Sequence, residues 1–280
     1  MTKQQQNNRA DQKFLKEEIF IPLFPAALLF YCSAAFFKKL LLCCSTTLLL
    51  YLCLAAQTYA FNIPEKLIYD LTWTGIKAGE AELEIKDNGD YLSIISKANS
   101  SKWVSVFYHV EDIVISKLKK ERYGNFFASP INYRLKIKEG KHRRDKELIF
   151  DHSVNKVTYI NHLDNERKDF IIGDSTYDAL SCFYYVRTLP LEVGKSVFVN
   201  LFDSKKFYSV EVQVLRKEAV RIPLGSFDAI LIKPIMKSEG IFSRKGDILI
   251  WLSDDERRIP LMLQSKVAVG SIKAVLVRIQ

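Results

Sequence analysis

Beyond residue 60, apolar and polar residues alternate with a period of two. Leu67, Tyr69, Leu71 and Trp73 fall on one side of an extended chain, and Asp70 and Thr72 on the other. Ala81, Leu83 and Ile85 alternate with Glu80, Glu82, Glu84 and Lys86; Ile131, Tyr133, Leu135 and Ile137 with Asn132, Arg134, Lys136 and Lys138; Val210, Val212 and Val214 with Ser209, Glu211 and Gln213. Successive side chains of a strand point to opposite faces, so each segment predicts a strand with one dry and one wet face. That is antiparallel behaviour; the parallel sheet of a doubly wound fold needs strands that are apolar on both faces.

Turn residues punctuate the pattern. Asp87-Asn88-Gly89-Asp90 and Glu139-Gly140-Lys141 predict hairpins, and Pro223-Leu224-Gly225 and Ser253-Asp254-Asp255-Glu256 two further turns. Roughly a dozen strands result, too many half-wet ribbons to lie flat with bare edges. The expected fold is all-β: a curled antiparallel sheet or partly open β-barrel. One helix interrupts it. Tyr177 to Leu189 is apolar nearly all round, Ser175 or Thr176 can cap it with Asp178 in a capping box, and Pro190 stops it. It should span about 18 Å and be buried.

The first 60 residues have another character. Residues 1–18 are polar and predict disorder. Two apolar runs follow, Ile19–Phe37 and Leu40–Ala56, separated by Lys38 and Lys39. Lys-Lys, an apolar run and then Gln57-Thr58-Tyr59-Ala60 predict a signal peptide cut near Ala60. The run is also close to the length of a membrane span, so an uncleaved anchor is the alternative. Either way the basic pair stays cytoplasmic and residues 61–280 are exported to the periplasm as a single β domain. No methionine lies between Met1 and Met236, and a start codon nearer the second run is a further reading.

The net charge is +9, of which +6 belongs to residues 61–280. The excess suits anionic lipid or glycolipid surfaces or simply a solvated face; its scatter along strands and the lack of a reader motif argue against nucleic acid. Four of the five cysteines (Cys32, Cys43, Cys44 and Cys53) lie in the leader, so Cys182 has no disulfide or zinc partner in the domain.

Five segments appear together in order: Pro64-Glu65-Lys66-Leu67-Ile68-Tyr69-Asp70-Leu71-Thr72-Trp73, Gly75-Ile76-Lys77-Ala78-Gly79-Glu80-Ala81, Tyr177-Asp178-Ala179-Leu180-Ser181-Cys182-Phe183-Tyr184-Tyr185-Val186-Arg187, Gly225-Ser226-Phe227-Asp228-Ala229, and Ile250-Trp251-Leu252-Ser253-Asp254-Asp255-Glu256-Arg257-Arg258-Ile259-Pro260. Over residues 62–280 the chain resembles the bacterial exported proteins of domain of unknown function 3108. The resemblance implies a periplasmic β-sheet domain and no particular activity.

Candidate chemistry is sparse. Tyr69, Trp73, Trp103, Phe107, Tyr184, Tyr185 and Trp251 suit either the lining of an apolar ligand pocket or the core. Asp178 and Arg187 flank the helix, suiting its dipole and able to pin it to the sheet. Asp254, Asp255, Glu256 and Arg258 suit a cation or acid–base site, or a hairpin turn. His109 and Glu111 share a strand face as two potential metal ligands without a third. His142, among Lys141, Arg143 and Arg144, suits phosphate contact or a solvated loop, and Cys182 suits packing. G-x-S-x-G, H-E-x-x-H, Walker and dinucleotide motifs are absent.

The expected protein is therefore a non-catalytic envelope protein without metal or cofactor, binding or carrying an apolar or lipid-like ligand and touching the membrane through its leader. The alternatives are an assembly factor that binds an envelope protein and, third, a hydrolase or metal-dependent enzyme.

Overall fold

A computed structural model describes residues 62–120, 128–236, 248–266 and 270–280. These residues belong to one compact unit, Thr58–Gln280. The leader, its four cysteines and the cleavage position lie outside the described residues.

Among the described residues fifteen strands form one sheet: β1 (Glu65–Trp73), β2 (Ile76–Asp87), β3 (Tyr91–Ser100), β4 (Val110–Lys119), β5 (Ser129–Glu139), β6 (His142–Asp151), β7 (Lys156–Asn161), β8 (Glu166–Ile171), β9 (Thr176–Tyr177), β10 (Ser196–Asp203), β11 (Lys206–Ile222), β12 (Gly225–Met236), β13 (Ile248–Ser253), β14 (Pro260–Lys266) and β15 (Ser271–Ile279). A short turn of helix, α1 (Lys102–Ser105), links β3 to β4, and a longer helix, α2 (Ala179–Thr188), follows β9.

The order across the sheet is β8 through β1, then β15 down to β9. Neighbours are antiparallel except β9 and β10, which pair in parallel. Both ends of the domain therefore meet in mid-sheet, where Lys66 and Gln280 exchange backbone hydrogen bonds of 3.0 and 2.8 Å.

The two edge strands, β8 and β9, are consecutive in the chain. The link from Ile171 to Thr176 reaches at most about 18 Å when fully extended. A flat fifteen-stranded sheet would separate its edges much further at about 4.8 Å per strand, so the sheet must roll. The right-handed twist between strands favours this. Among the described residues no backbone ladder joins the edges. Side chains close the seam instead: the Phe170 and Phe202 rings lie 5.4 Å apart, Lys205 pairs with Glu166, and Asn200 donates to the Asp174 carbonyl at 3.2 Å. The fold is thus the curled, unclosed sheet that the alternating pattern predicts.

Most strands keep one wet face, but β12 and β13 do not. Ile230, Ile232, Ile250 and Leu252 enter one core cluster, while Ala229, Leu231 and Trp251 enter another. Burial on both faces accounts for their unbroken apolar runs.

The helix begins later than its sequence suggests. Thr176 and Tyr177 form β9, and Asp178 is the N-cap. Its Oδ1 accepts from the backbone of Leu180 (2.9 Å) and Ser181 (3.0 Å), while Ser181 Oγ accepts from the Asp178 N–H at 3.0 Å. The capping box therefore uses Asp178 and Ser181 rather than Ser175 and Asp178. The chain turns just before it through Ser175, at a positive φ of 51°.

Candidate ligand chamber

Helix α2 fills one part of the roll. Tyr184 is fully buried, and Cys182 and Val186 nearly so, packed with Ile85, Ile94 and Leu118 as well as Val199, Val210 and Ile230. The charged residues that flank the helix fasten both its ends. Asp178 Oδ2 accepts from Ser116 Oγ of β4 at 2.7 Å. Arg187 forms a bidentate pair with Glu65 of β1 at 2.8 and 3.0 Å. It also donates to the carbonyls of Arg257 (3.1 Å) and Arg258 (3.0 Å).

The roll is not filled everywhere. Two cavities follow one another along the inward face of β1, β2, β3 and β15. The first, about 270 Å³, lies against the helix, with Ala179, Leu180 and Phe183 facing Tyr69, Ala81, Leu83, Ser96, Leu263 and Ala274. The second, about 620 Å³, lies further along the same strands, lined by Leu71, Trp73, Ala78, Ala98, Ser100, Val104, Tyr108 and Ile272, with Asp112 and Glu139 beside them. Side-chain size explains the space. Where the helix packs, β2 and β3 present Ile85, Leu92 and Ile94; along the cavities they present Ala78, Ala81, Ser96, Ala98 and Ser100. Gly79 permits the close approach of β2 to β3 here, since a methyl group on it would overlap the Asn99 carbonyl oxygen. The larger cavity is within the size range of small-molecule sites, about 300–1,000 Å³.

Its polar lining is sparse. Burial raises the pKa of Asp112, and the neighbouring Glu139 adds to this against a hydrogen bond from the Lys138 N–H. A third space, about 210 Å³, also borders Ala179 and is basic, with Arg144 and Lys146 alongside Tyr133, Tyr159 and Asp203. Desolvation lowers the Lys146 pKa.

Exposed apolar residues form a rim beside the large cavity: Ile76 is the cross-strand partner of the lining residue Trp73, and Trp103, Val106 and Phe107 flank the lining residues Val104 and Tyr108 in the chain. Phe107, Val106 and Ile76 are 84%, 76% and 61% exposed, and Trp73, Trp103, Tyr108 and Ile272 are about half exposed. The rim is fastened in place. Trp103 Nε1 donates to the Lys77 carbonyl at 3.0 Å. Gly140 N donates to the His109 carbonyl at 2.7 Å, and the Tyr108 ring sits where a Cβ on Gly140 would be. Thr74 N donates to the Ser271 carbonyl at 3.0 Å.

Of the aromatic candidates, Tyr69 and Trp73 line the cavities, while Trp103 and Phe107 stand on the rim. The other three belong elsewhere. Tyr184 is in the packed core; Tyr185 stacks on Tyr177 at 4.6 Å. Trp251 joins the second core cluster and donates to Glu218 at 2.7 Å. They depart from a pocket role because β13 is buried on both faces and α2 packs against strands on several sides.

The acidic cluster is a turn. Asp255 Oδ1 accepts from Ser253 Oγ (2.6 Å) and from the backbone of Arg257 and Arg258 (both 3.1 Å). Asp254 pairs with Lys217 at 2.6 Å and Arg258 at 3.1 Å, partners that lower its pKa. Glu256 adds no third ligand, and His109 and Glu111 approach only to 3.8 Å, Glu111 also binding Lys138. Among the described residues no group of three or more His, Cys, Asp or Glu is placed to hold a metal. His142 and Arg143 are exposed at the β5–β6 turn.

Sequence reasoning missed the small lining residues and Val104, Tyr108 and Ile272. The available signal was the drop from Ile and Leu to Ala and Ser at inward positions of β2 and β3.

Residues 68–277 match the family described as protein of unknown function (DUF3108). The chain belongs to this family. A search of curated proteins found no match. Among solved structures, it is similar to a β-barrel-like protein of domain of unknown function DUF1849 from Brucella abortus, at 12% identity and a TM-score of 0.53, covering 79% of this chain and 98% of that one. This likeness supports the rolled-sheet fold. Two further structures were matched with lower TM-scores. One is a protein provisionally described as exported, with a YmcC-like fold, from Bacteroides fragilis (8% identity, TM-score 0.32, covering 79% of this chain and 97% of that one). The other is a provisional lipoprotein from Parabacteroides distasonis (8% identity, TM-score 0.31, covering 80% and 99%).

Proposed function

We infer that this DUF3108 protein is a non-catalytic envelope protein that takes the apolar part of a lipid-like ligand into the chamber that the two cavities form along the inward face of β1, β2, β3 and β15. The observation that carries this reading is the 620 Å³ cavity, built from small inward side chains. Each methylene moved from water into such a space contributes about 0.8 kcal/mol, so an acyl chain gains affinity without a dense polar lining. The leader, with Lys38 and Lys39 before its second apolar run, supports export to the periplasm.

Partner binding by sheet extension has less support. The edge strand β8 carries Glu166, Arg167, Lys168 and Asp169 in succession, the kind of charged edge that resists pairing with another strand.

Native mass spectrometry of the full chain after mild extraction tests the proposal. A co-purifying lipid of defined mass, displaced by a fluorescent fatty acid, is expected. A chain that carries no lipid and leaves the probe unbound overturns the reading.

A further inference from the structure

We propose that the rim of the chamber is a docking surface for an anionic lipid bilayer. A water-facing surface has no folding reason to hold Phe107, Val106 and Ile76 out in solvent, yet all three are more than 60% exposed. The backbone is organised to keep them there. Ser105 N donates to the Ser101 carbonyl at 2.9 Å, Val110 N to Ser100 Oγ at 2.9 Å, and Trp103 and Gly140 fasten the segment to the β1–β2 and β5–β6 hairpins. The exposure of Val106 and Phe107 therefore belongs to a held turn, and large apolar side chains exposed together in this way mark an interaction surface.

Charge selects the occupant. Lys102 lies on the same turn, and Lys141 and Arg143 on the hairpin that Gly140 joins to it; all three are exposed and in no ion pair among the described residues, Arg143 donating only to the Gly140 and His142 carbonyls. They outnumber the two carboxylates of the cavity lining, Asp112 and Glu139, and burial disfavours the charge on Asp112. Tryptophan and tyrosine beside unpaired basic residues is the composition that settles at a membrane interface, the rings among headgroups and the cations over anionic lipid. Because Trp73, Tyr108 and Ile272 belong to both rim and lining, a docked rim puts the chamber mouth against the acyl layer. The docking goes beyond ligand uptake and stands on the rim residues alone.

The test uses the full chain reconstituted in vesicles whose lipids carry brominated acyl chains, which quench nearby tryptophan. In phosphatidylglycerol vesicles, emission from the rim tryptophans is expected to be quenched. Trp103→Phe should remove roughly half of that quenching, since two of the three tryptophans, Trp73 and Trp103, are on the rim. Paired Val106→Ser and Phe107→Ser changes, K102E with R143E, or high salt should each reduce it several-fold, and phosphatidylcholine vesicles should quench less. Fatty-acid binding by the serine variant in detergent reads the chamber separately and is expected to persist. Equal quenching by both lipids overturns the role of charge. Unquenched emission overturns docking altogether, as does shielding of Trp103 that rises with protein concentration without lipid, which would assign the rim to a second copy of the chain.

Discussion

Arg187 meets Glu65 across 122 residues of sequence, with Nη1–Oε1 at 2.8 Å and Nη2–Oε2 at 3.0 Å, both side chains almost wholly buried. The guanidinium also lies 4.8 Å from the centre of the Tyr184 ring. Bidentate geometry suits arginine and no other cation. This pair fixes the C-terminal end of α2 to the first strand, and its two carbonyl acceptors bring in the turn at Arg257 and Arg258. Arg187→Met should strand a buried carboxylate and two carbonyl oxygens, at a cost of about 3–5 kcal/mol. Urea denaturation gives the value. A loss below about 1 kcal/mol would mean that the pair does not hold the helix.

Asp178 does the corresponding work at the other end. Removing the cap with Asp178→Ala should cost about 1–2 kcal/mol, while Asp178→Asn keeps an acceptor for the Leu180 and Ser181 amides. Burial raises the Asp178 pKa above the ordinary carboxylate value, with the bond from Ser116 opposing it. A raised folded pKa means that the folded state binds the proton more tightly. The stability from this group is therefore fully present below the unfolded pKa of about 3.9 and is lost as pH rises through the folded value. Asp178→Asn should remove that component. Comparing urea midpoints of the two proteins from mildly acidic to neutral pH checks it; parallel curves would contradict the assignment.

The architecture was legible because period-two alternation is local: Leu67, Tyr69, Leu71 and Trp73 declare their common face without reference to any partner. The helix was legible from its apolar run and Pro190. Its start is not legible to within a few residues because Ser175 and Thr176 also have capping chemistry, and only the parallel pairing of Thr176 and Tyr177 with β10 assigns them to a strand. The chamber was half legible. Aromatic content pointed to Tyr69 and Trp73, but no local pattern separates them from Tyr184 and Trp251, whose surroundings come from elements far away in sequence. The small residues that make the space are inconspicuous singly; Ala81 and Ala98 reveal a void only once they are seen to be cross-strand partners.

That pairing gives a direct test of the void. In a filled core, Ala98→Phe would cost about 1–3 kcal/mol through overpacking. In the chamber the ring enters open space, so the urea midpoint should hold or rise while affinity for a fluorescent fatty acid falls at least about tenfold. Phe107→Ser, on the rim, should leave that affinity unchanged in detergent. A destabilised Ala98→Phe protein with unaltered probe binding would place the ligand elsewhere.

Cys182 offers a reporter on the helix itself. It is 7% exposed, and burial, aided by the negative Asp178, pushes its thiol up to about 12. Because the thiolate is the reactive form, labelling by a disulfide reagent at neutral pH should be very slow in the native chain and should accelerate as urea unfolds it. The four leader cysteines must first be replaced by serine so that only this thiol is read. Leu180 and Phe183, on the same helix, line the smaller cavity. A ligand seated there must be released or displaced before α2 can lift away, so loading the chamber should slow Cys182 labelling further by the factor that mass action on the opening equilibrium requires. Labelling as fast as a free thiol in the native chain would show that α2 is not packed inside the roll. Labelling that is slow but indifferent to a bound ligand would show that the ligand does not touch the helix.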